Sequence, residues 1–562
     1  MNQFAILHMS DSKYCYAVNK DEIVIRLRTS KEDELDVFLL YGPKYEFQSK
    51  RYKAKMKVKY EDKLYRYYEK RIKLSDLRLA YIFEIYENGE RFYFCEDGIV
   101  VDYDFENAFY NFYQMPYINE NDRIKVVEWM QGAVFYQIFV DRFNMGNLKK
   151  DKSYIDMKWG DKPTPKNFAG GDIRGIIDKL DYLENLGITA IYLTPIFLSI
   201  SNHKYDIIDY KKIDPMFGDI EDLKELVHKA HEKNIHIVLD AVFNHCSMNL
   251  YQFQDVIEKG KKSKYYDWFI IDGDFPEPEK GNYECFASCN YMPKLNTANL
   301  QVQEFLLDIA VYWIRECDID GWRLDVSDEV SHDFWRQFRK AVKKEKENCV
   351  IIGENWHDAY AYLMGDQYDS IMNYAFTKAC LDYLAKDKLD AKGMANKLNE
   401  ILMRNNSLIN SMMLNLIDSH DTFRFFTEVK CNKKKQLCAL ALSVFFPGAV
   451  CVYYGTEICM EGGYDPDSRR CFDWNEENWD KEFLEKFKAL LKLKKFEEIR
   501  FGTVKIYEKN CLLIVERIYK NNKIRLEINM ENKVINGIEP FNYRVLRKGD
   551  YNEEKSSCYN AS

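Results

Sequence analysis

Apolar and polar positions along the chain follow two rhythms, and the change from one to the other divides it. Up to about residue 115, short runs such as "EIVIRLR" and "KMKVKY" alternate with period two, the spacing of a strand with one buried face. The run "IYENGERFYF" places Asn88-Gly89 where a two-residue hairpin turn is expected. These features predict an N-terminal all-β domain, a sandwich over residues 1–120.

Beyond Pro116 the rhythm changes. Eight apolar runs follow: "GAVFYQIFVDRF", "GITAIYLTPIF", "IHIVLDAVFNH", "DIDGWRLDV", "NCVIIGEN", "DSIMNYAF", "MMLNLIDSHD" and "GAVCVYYGTE". Segments with helical spacing, such as "IEDLKELVHKAHEKN" and "NLQVQEFLLDIAVYWIRECD", lie between them. Runs this apolar suit strands covered on both faces, and eight strand-helix units predict a closed (β/α)₈ TIM barrel. The expected division is a barrel over 121–245 and 298–498, interrupted by a long loop or subdomain over 246–297. Alternating runs such as "GTVKIY" and "CLLIVER" predict a small C-terminal β domain over 499–562.

Composition narrows the class of protein. A 562-residue chain with 46% hydrophobic and 30% charged residues has the make-up of a multi-domain globular protein, without an apolar run long enough to span a bilayer. The start of the chain shows no secretory pattern. The 15 cysteines are odd in number and form no CxxC pairs, which points to reduced thiols and a cytoplasmic location. A net charge of −9 with interspersed lysines argues against a nucleic acid partner, as the lack of a long apolar run argues against a membrane.

In a barrel, chemistry belongs at the C-terminal ends of the strands. Those ends carry Asp141 and Arg142, then His203, Tyr205 and Asp206, then Asp240, Asn244 and His245, then Arg323 and Asp325, Glu354, and His420 with Asp421. Asp325, Glu354 and Asp421 should converge on the mouth. Arg323, two residues before Asp325 and on the same strand face, is expected to keep that carboxylate ionised, as a nucleophile requires. Glu354 has no cation in its own strand, so the charge of Asp325 should raise its pKa and make it a proton donor. One ionised and one protonated carboxyl about 5 Å apart is the arrangement of retaining glycoside hydrolysis. Asp421 then stabilises the cationic transition state, and His245 and His420 bind sugar hydroxyls.

The segments "DAVFNH", "GWRLDVSDE", "GENWHD" and "DSHDT", in this order, resemble the four signature regions of the α-amylase superfamily. "MPKLN" at Met292 to Asn296, Trp356, "SNHKYDIIDY" from Ser201 and the N-terminal domain resemble its neopullulanase, cyclomaltodextrinase and maltogenic amylase subgroup. The resemblance implies Asp325 as nucleophile, Glu354 as acid/base and Asp421 as stabiliser. It places Arg323, His245, His420, Tyr205 and His203 around the attacked glucose, Asp465 and Arg469 at the non-reducing end, and Phe286, Trp356 and Tyr374 against curved glucans. It also implies a starch-binding-like first domain that mediates a homodimer.

The chain departs from the pattern in three places. Asn355 follows the acid where an aliphatic residue is usual, and "VSDE" stands where the subgroup has Ala and Asn before Glu. The loop "NMGNLKKDKSY" resembles a calcium loop but carries Lys149 and Lys150, cations that weaken such a site. Asn144, Asp151, Gly170 and Asp172 would be the ligands of a structural Ca²⁺, and no cofactor is required for the chemistry. The expected activity is retaining hydrolysis of α-1,4 and possibly α-1,6 bonds in cyclodextrins, maltodextrins and pullulan. An exo-acting α-glucosidase or transglycosylase on the same barrel is the alternative, and a non-catalytic sugar-binding scaffold the remote one.

Overall fold

A computed structural model describes residues 1–547. Its centre is an eight-stranded parallel sheet formed by Val134–Ile138, Ala190–Leu193, His236–Ala241, Gly321–Leu324, Val350–Gly353, Ser370–Ile371, Leu414–Leu416 and Ala449–Tyr453. These are the eight runs read from the sequence. Neighbouring strands pair in order around the ring, and a parallel bridge between Met372 and Leu414 joins the sixth strand to the seventh. The barrel is thereby closed.

Strand alternation explains how this barrel carries both a core and a site. Outward positions such as Ile191, Leu239, Trp322, Ile351 and Val452 pack under the surrounding helices. Inward positions Phe135, Ala190, Val238, Val350, Ile352, Leu414 and Cys451 fill the lower interior. The same inward face continues upward to Gln137, Asp240, Arg323 and Glu354, all buried. The register sets Asp240 opposite Arg323 and Leu324 opposite Gly353, so the polar layer is level.

The covering helices form where the sequence provides caps and one apolar stripe. In Ile220–Glu232, Asp219 and Asp222 make a capping box, and Leu223, Leu226, Val227 and Ala230 are the buried face. The helix Leu300–Cys317 is capped by Asn299 and stops at Asp318, whose φ of 55° is left-handed. Two excursions rise above the strand ends. After the second strand, Phe197–Ser199 and Ile207–Ile213 form a hairpin. After the third, residues 246–299 make a compact subdomain with the helix Tyr251–Lys259 and a core of Phe253, Trp268, Phe269 and Tyr283.

The N-terminal domain is a sandwich of a four-stranded and a six-stranded antiparallel sheet, and Asn88 (φ 50°) and Gly89 (φ 88°) make the expected turn. At the other end, Thr503–Lys509, Leu512–Tyr519, Asn522–Asn529 and Asn542–Arg547 form one antiparallel sheet. The remainder of the expected C-terminal domain lies outside the described residues. The barrel helix Ala391–Met403 joins all three parts: buried Asn399 donates to the Glu61 carbonyl at 2.9 Å and to the Ile506 carbonyl at 3.1 Å.

Candidate active site

The floor of the site is organised around one guanidinium. Arg323, 1% exposed, donates from Nη1 to both oxygens of Asp240 (3.1 and 3.0 Å) and to Asp325 Oδ1 (2.9 Å), while Nη2 lies 2.9 Å from Glu354 Oε2. A cation buried this deeply is stable only with such compensation. Asp325 and Glu354 therefore sit on the two terminal nitrogens of the same arginine. The sequence reading gave Glu354 no cation because none is near it in the chain; strand pairing supplies one from the neighbouring strand.

The residue after Asp325 shapes the second carboxyl. Val326 is β-branched yet has φ 44°, a left-handed conformation that costs roughly 1–3 kcal/mol. That turn points its N–H at Glu354 Oε2 (3.0 Å), and Ser327 Oγ donates to the Glu354 carbonyl at 2.6 Å. The Trp356 indole N–H donates to Glu354 Oε1 at 3.2 Å. Both oxygens of Glu354 are thus oriented. Asp325 Oδ2, by contrast, has no hydrogen-bond partner, and His245 Nε2 lies 3.9 Å from it.

Asp421 is held from the opposite side. His420 Nε2 lies 3.3 Å from its Oδ2, and Arg469 Nη2 lies 3.5 Å from its Oδ1 while Nη1 pairs with Asp465 at 3.0 Å. The Gln137 amide faces His420 Nδ1 at 2.7 Å, and Tyr205 Oη faces Nε2 at 2.6 Å and donates to Asp240 at 3.1 Å. With the amide N–H on Nδ1, the imidazole is neutral and carries its proton on Nε2. The rings of Tyr205 and His420 stack at 5.6 Å with an interplanar angle of 3°.

Aromatic walls enclose a cleft of about 520 Å³, lined among others by His203, Tyr205, His245, Phe286, Asp325, Glu354, Trp356, Asp421, Asp465 and Arg469. Phe286 comes from the subdomain and stacks on His245 at 4.8 Å. Trp356, 45% exposed, lies flat on buried Tyr374 at 3.6 Å, so Trp356 presents the face and Tyr374 supports it from below. Arg323 and His420 also lie beneath the floor, fully packed, and reach the cleft through the groups they hold. A chain from Asn244 through Lys294 to Glu329 borders the other end.

Burial dominates the electrostatics. It pushes the carboxyls of Asp325, Glu354 and Asp421 above their ordinary range, with Arg323 drawing each back; at Asp325, against the expectation from the sequence, burial outweighs the arginine. Burial likewise moves Asp240 up to about 6. It moves His245 down to about 3 and His203 down to about 4, so both are neutral near pH 7. The carboxyls of Asp325, Glu354 and Asp421 lie within electrostatic reach of one another, so they titrate together and not as independent groups.

Comparison with known proteins agrees with this geometry. Residues 137–522 match the alpha amylase catalytic domain and residues 1–119 the alpha amylase N-terminal ig-like domain. The chain belongs to the alpha-amylase family. Within it, the chain is 43% identical to a cyclomaltodextrinase of Thermoanaerobacter pseudethanolicus over 94% of its own length and 92% of that protein. It is 39% identical to neopullulanase 2 of Thermoactinomyces vulgaris, covering 87% and 84%. A solved cyclomaltodextrinase superposes with a TM-score of 0.91 at 37% identity, covering 95% of this chain and 92% of that one. The protein is a glycoside hydrolase of the cyclomaltodextrinase, maltogenic amylase and neopullulanase type.

Measured against the alpha-amylase family reading, the calcium loop differs most. Asn144, Asp151, Gly170 and Asp172 do not converge on one point. Asp151 faces solvent and binds the backbone N–H and hydroxyl of Ser153, while the Asn144 amide donates to the Gly175 carbonyl at 3.1 Å. Gly170 and Asp172 do meet, but around the ammonium of Lys150. The donor set does not fit a divalent ion, and among the described residues no three acidic, histidine or cysteine side chains group as one. Four contributors to the site escaped the sequence reading: Gln137, Tyr192, which donates to Asp240 at 2.6 Å, the strained Val326, and Lys294 as a border residue. Period-two alternation already places Gln137 and Tyr192 on the inward face; the conformation of Val326 leaves no mark in the sequence.

Proposed function

We propose that the protein hydrolyses α-1,4 bonds, and α-1,6 bonds where a substrate presents them, in cyclodextrins, maltodextrins and pullulan, with retention at the anomeric carbon. The observation that carries this reading is the asymmetry of the two carboxylates on Arg323. Asp325, a residue lining the cleft, has one oxygen fixed by the guanidinium and the other free of any hydrogen-bond partner, the condition of a nucleophile. Glu354 has both oxygens oriented, one by the Val326 N–H and the other by the Trp356 indole, the condition of an acid that protonates the leaving oxygen and later accepts a proton from water. Asp421 stands where it can stabilise the oxocarbenium-like transition state. Trp356 and Phe286 offer apolar faces to glucosyl rings, and Asp465 with Arg469 bounds the non-reducing end. A bound Ca²⁺ is not part of this chemistry.

The protein works in the cytoplasm and as a homodimer in this proposal. All 14 cysteines among the described residues are free thiols, in keeping with a reducing compartment, and no helix there is long and apolar enough to cross a membrane. The experiment is product analysis on β-cyclodextrin, pullulan and maltotriose with the wild type and Asp325→Asn. The wild type should release maltose, panose or glucose from them. The variant should lose about 10³-fold or more in kcat with an unchanged far-UV spectrum. Near-normal turnover by the variant would remove Asp325 from the nucleophile's role, and glucose as sole product from every substrate would indicate the exo-acting alternative.

A further inference from the structure

Where the family reading expects a divalent ion, this chain has built in a cation of its own. Lys150 is almost wholly buried, with 7% of its side chain exposed. Its Nζ donates to the Gly170 carbonyl at 2.7 Å and the Met216 carbonyl at 2.8 Å, and lies 2.9 Å from Asp172 Oδ2. An ammonium has three N–H donors, and here each has an acceptor. The Tyr154 ring closes the remaining side, its hydroxyl donating to the same Met216 carbonyl at 3.2 Å.

The acceptors come from separate pieces of chain. Lys150 belongs to the loop after the first barrel strand, Gly170 and Asp172 to the turn before the helix Ile173–Ile177, and Met216 to the segment after the hairpin that carries Tyr205. Asp172 is itself a hub, accepting from the N–H groups of Gly146 (2.9 Å), Asn147 (3.1 Å) and Gly175 (2.7 Å). Without a cation beside it, this carboxylate and two carbonyls would face one another across a buried gap. A Ca²⁺ ion takes six to eight oxygens at about 2.3–2.6 Å. Asp151 has turned away to solvent, and the centre is taken by nitrogen. From this junction, Gly170 N–H bonds Asp141 at 3.0 Å, Asp141 pairs with Arg142 at 2.6 Å, and Arg142 donates to the Arg469 carbonyl at 3.2 Å. The junction is thus connected to the residue that pairs with Asp421.

We propose that the Lys150 ammonium replaces a structural metal ion in this chain, tying the first two strand-end loops together and making the fold independent of calcium. The proposal concerns stability and stands apart from the substrate reading. Its test is calorimetry of the full chain with excess EDTA, with added Ca²⁺ alone and with neither, beside the variant Lys150→Met. The wild-type Tm should be the same in all three conditions, and K150M should melt several degrees lower, its Tm not restored by Ca²⁺. A wild-type Tm that falls in EDTA and recovers with Ca²⁺ would overturn the proposal, as would a K150M variant with the wild-type Tm. Should K150M yield no folded protein, the wild-type comparison decides alone.

Discussion

At the scale of single residues, the site depends on how one guanidinium is shared. Arg323 serves Asp240, Asp325 and Glu354 together, so neighbouring hydrogen bonds must distinguish the two working carboxyls. The Trp356 indole N–H stabilises the ionised form of Glu354 and so lowers its pKa against the upward push of burial. Replacing Trp356 by Phe keeps an aromatic face and removes that donor. The pKa of the acid should then rise, and because activity requires its protonated form, the alkaline limb of kcat/KM should move to higher pH. A limb that stays in place while only KM changes would show that Trp356 contributes stacking alone. The residue scale was also the most legible in the sequence. Asp325, Glu354 and Asp421 follow from strand-end position and charge, whereas the cation beside Glu354 came from the adjacent strand and was invisible to a reading along the chain.

At the scale of elements, the eight apolar runs became the eight strands because their composition suits burial on both faces, and the polar layer follows from alternation along them. Loops were less legible, since their paths depend on pairings between distant segments: Lys150 reads in sequence as a cation that weakens a calcium loop and becomes the centre of a junction only when Gly170 and Met216 are brought to it. Ring closure makes its own demands. Gly448, between the seventh and eighth strands, has φ 112°, and a Cβ there would lie 2.3 Å from the Met413 carbonyl oxygen. Gly448→Ala combines backbone strain with a backbone clash and should cost about 2 kcal/mol or more, seen as a lower midpoint in denaturant. An unchanged midpoint would mean that the ring yields there without loss.

At the scale of the molecule, three domains share Asn399 as a common hydrogen-bonding point, and large apolar side chains are left on the first of them. Phe4 is 98% exposed, Tyr110 87% and Tyr45 64%, all in the N-terminal sandwich. Scattered exposed residues need no partner, but Tyr45 stacks on half-exposed Phe109 at 6.2 Å, an apolar surface that the proposed homodimer would cover. Light scattering coupled to size exclusion should give twice the chain mass of 67.0 kDa, and a truncated protein beginning after the sandwich should lose that doubling if it remains folded. A wild-type mass equal to one chain at micromolar concentration would contradict it.

The most direct test of the central claim, that Asp325 attacks and Glu354 transfers the proton, is the stereochemistry of azide rescue with an activated α-maltoside. Azide should enter Glu354→Ala from the face the acid vacates, after the ester to Asp325 has formed, and give the α-glycosyl azide. In Asp325→Ala it should attack in place of the lost carboxylate and give the β-glycosyl azide. The opposite pair of configurations, or an unimpaired Glu354→Ala enzyme that yields no azide product, would contradict the account.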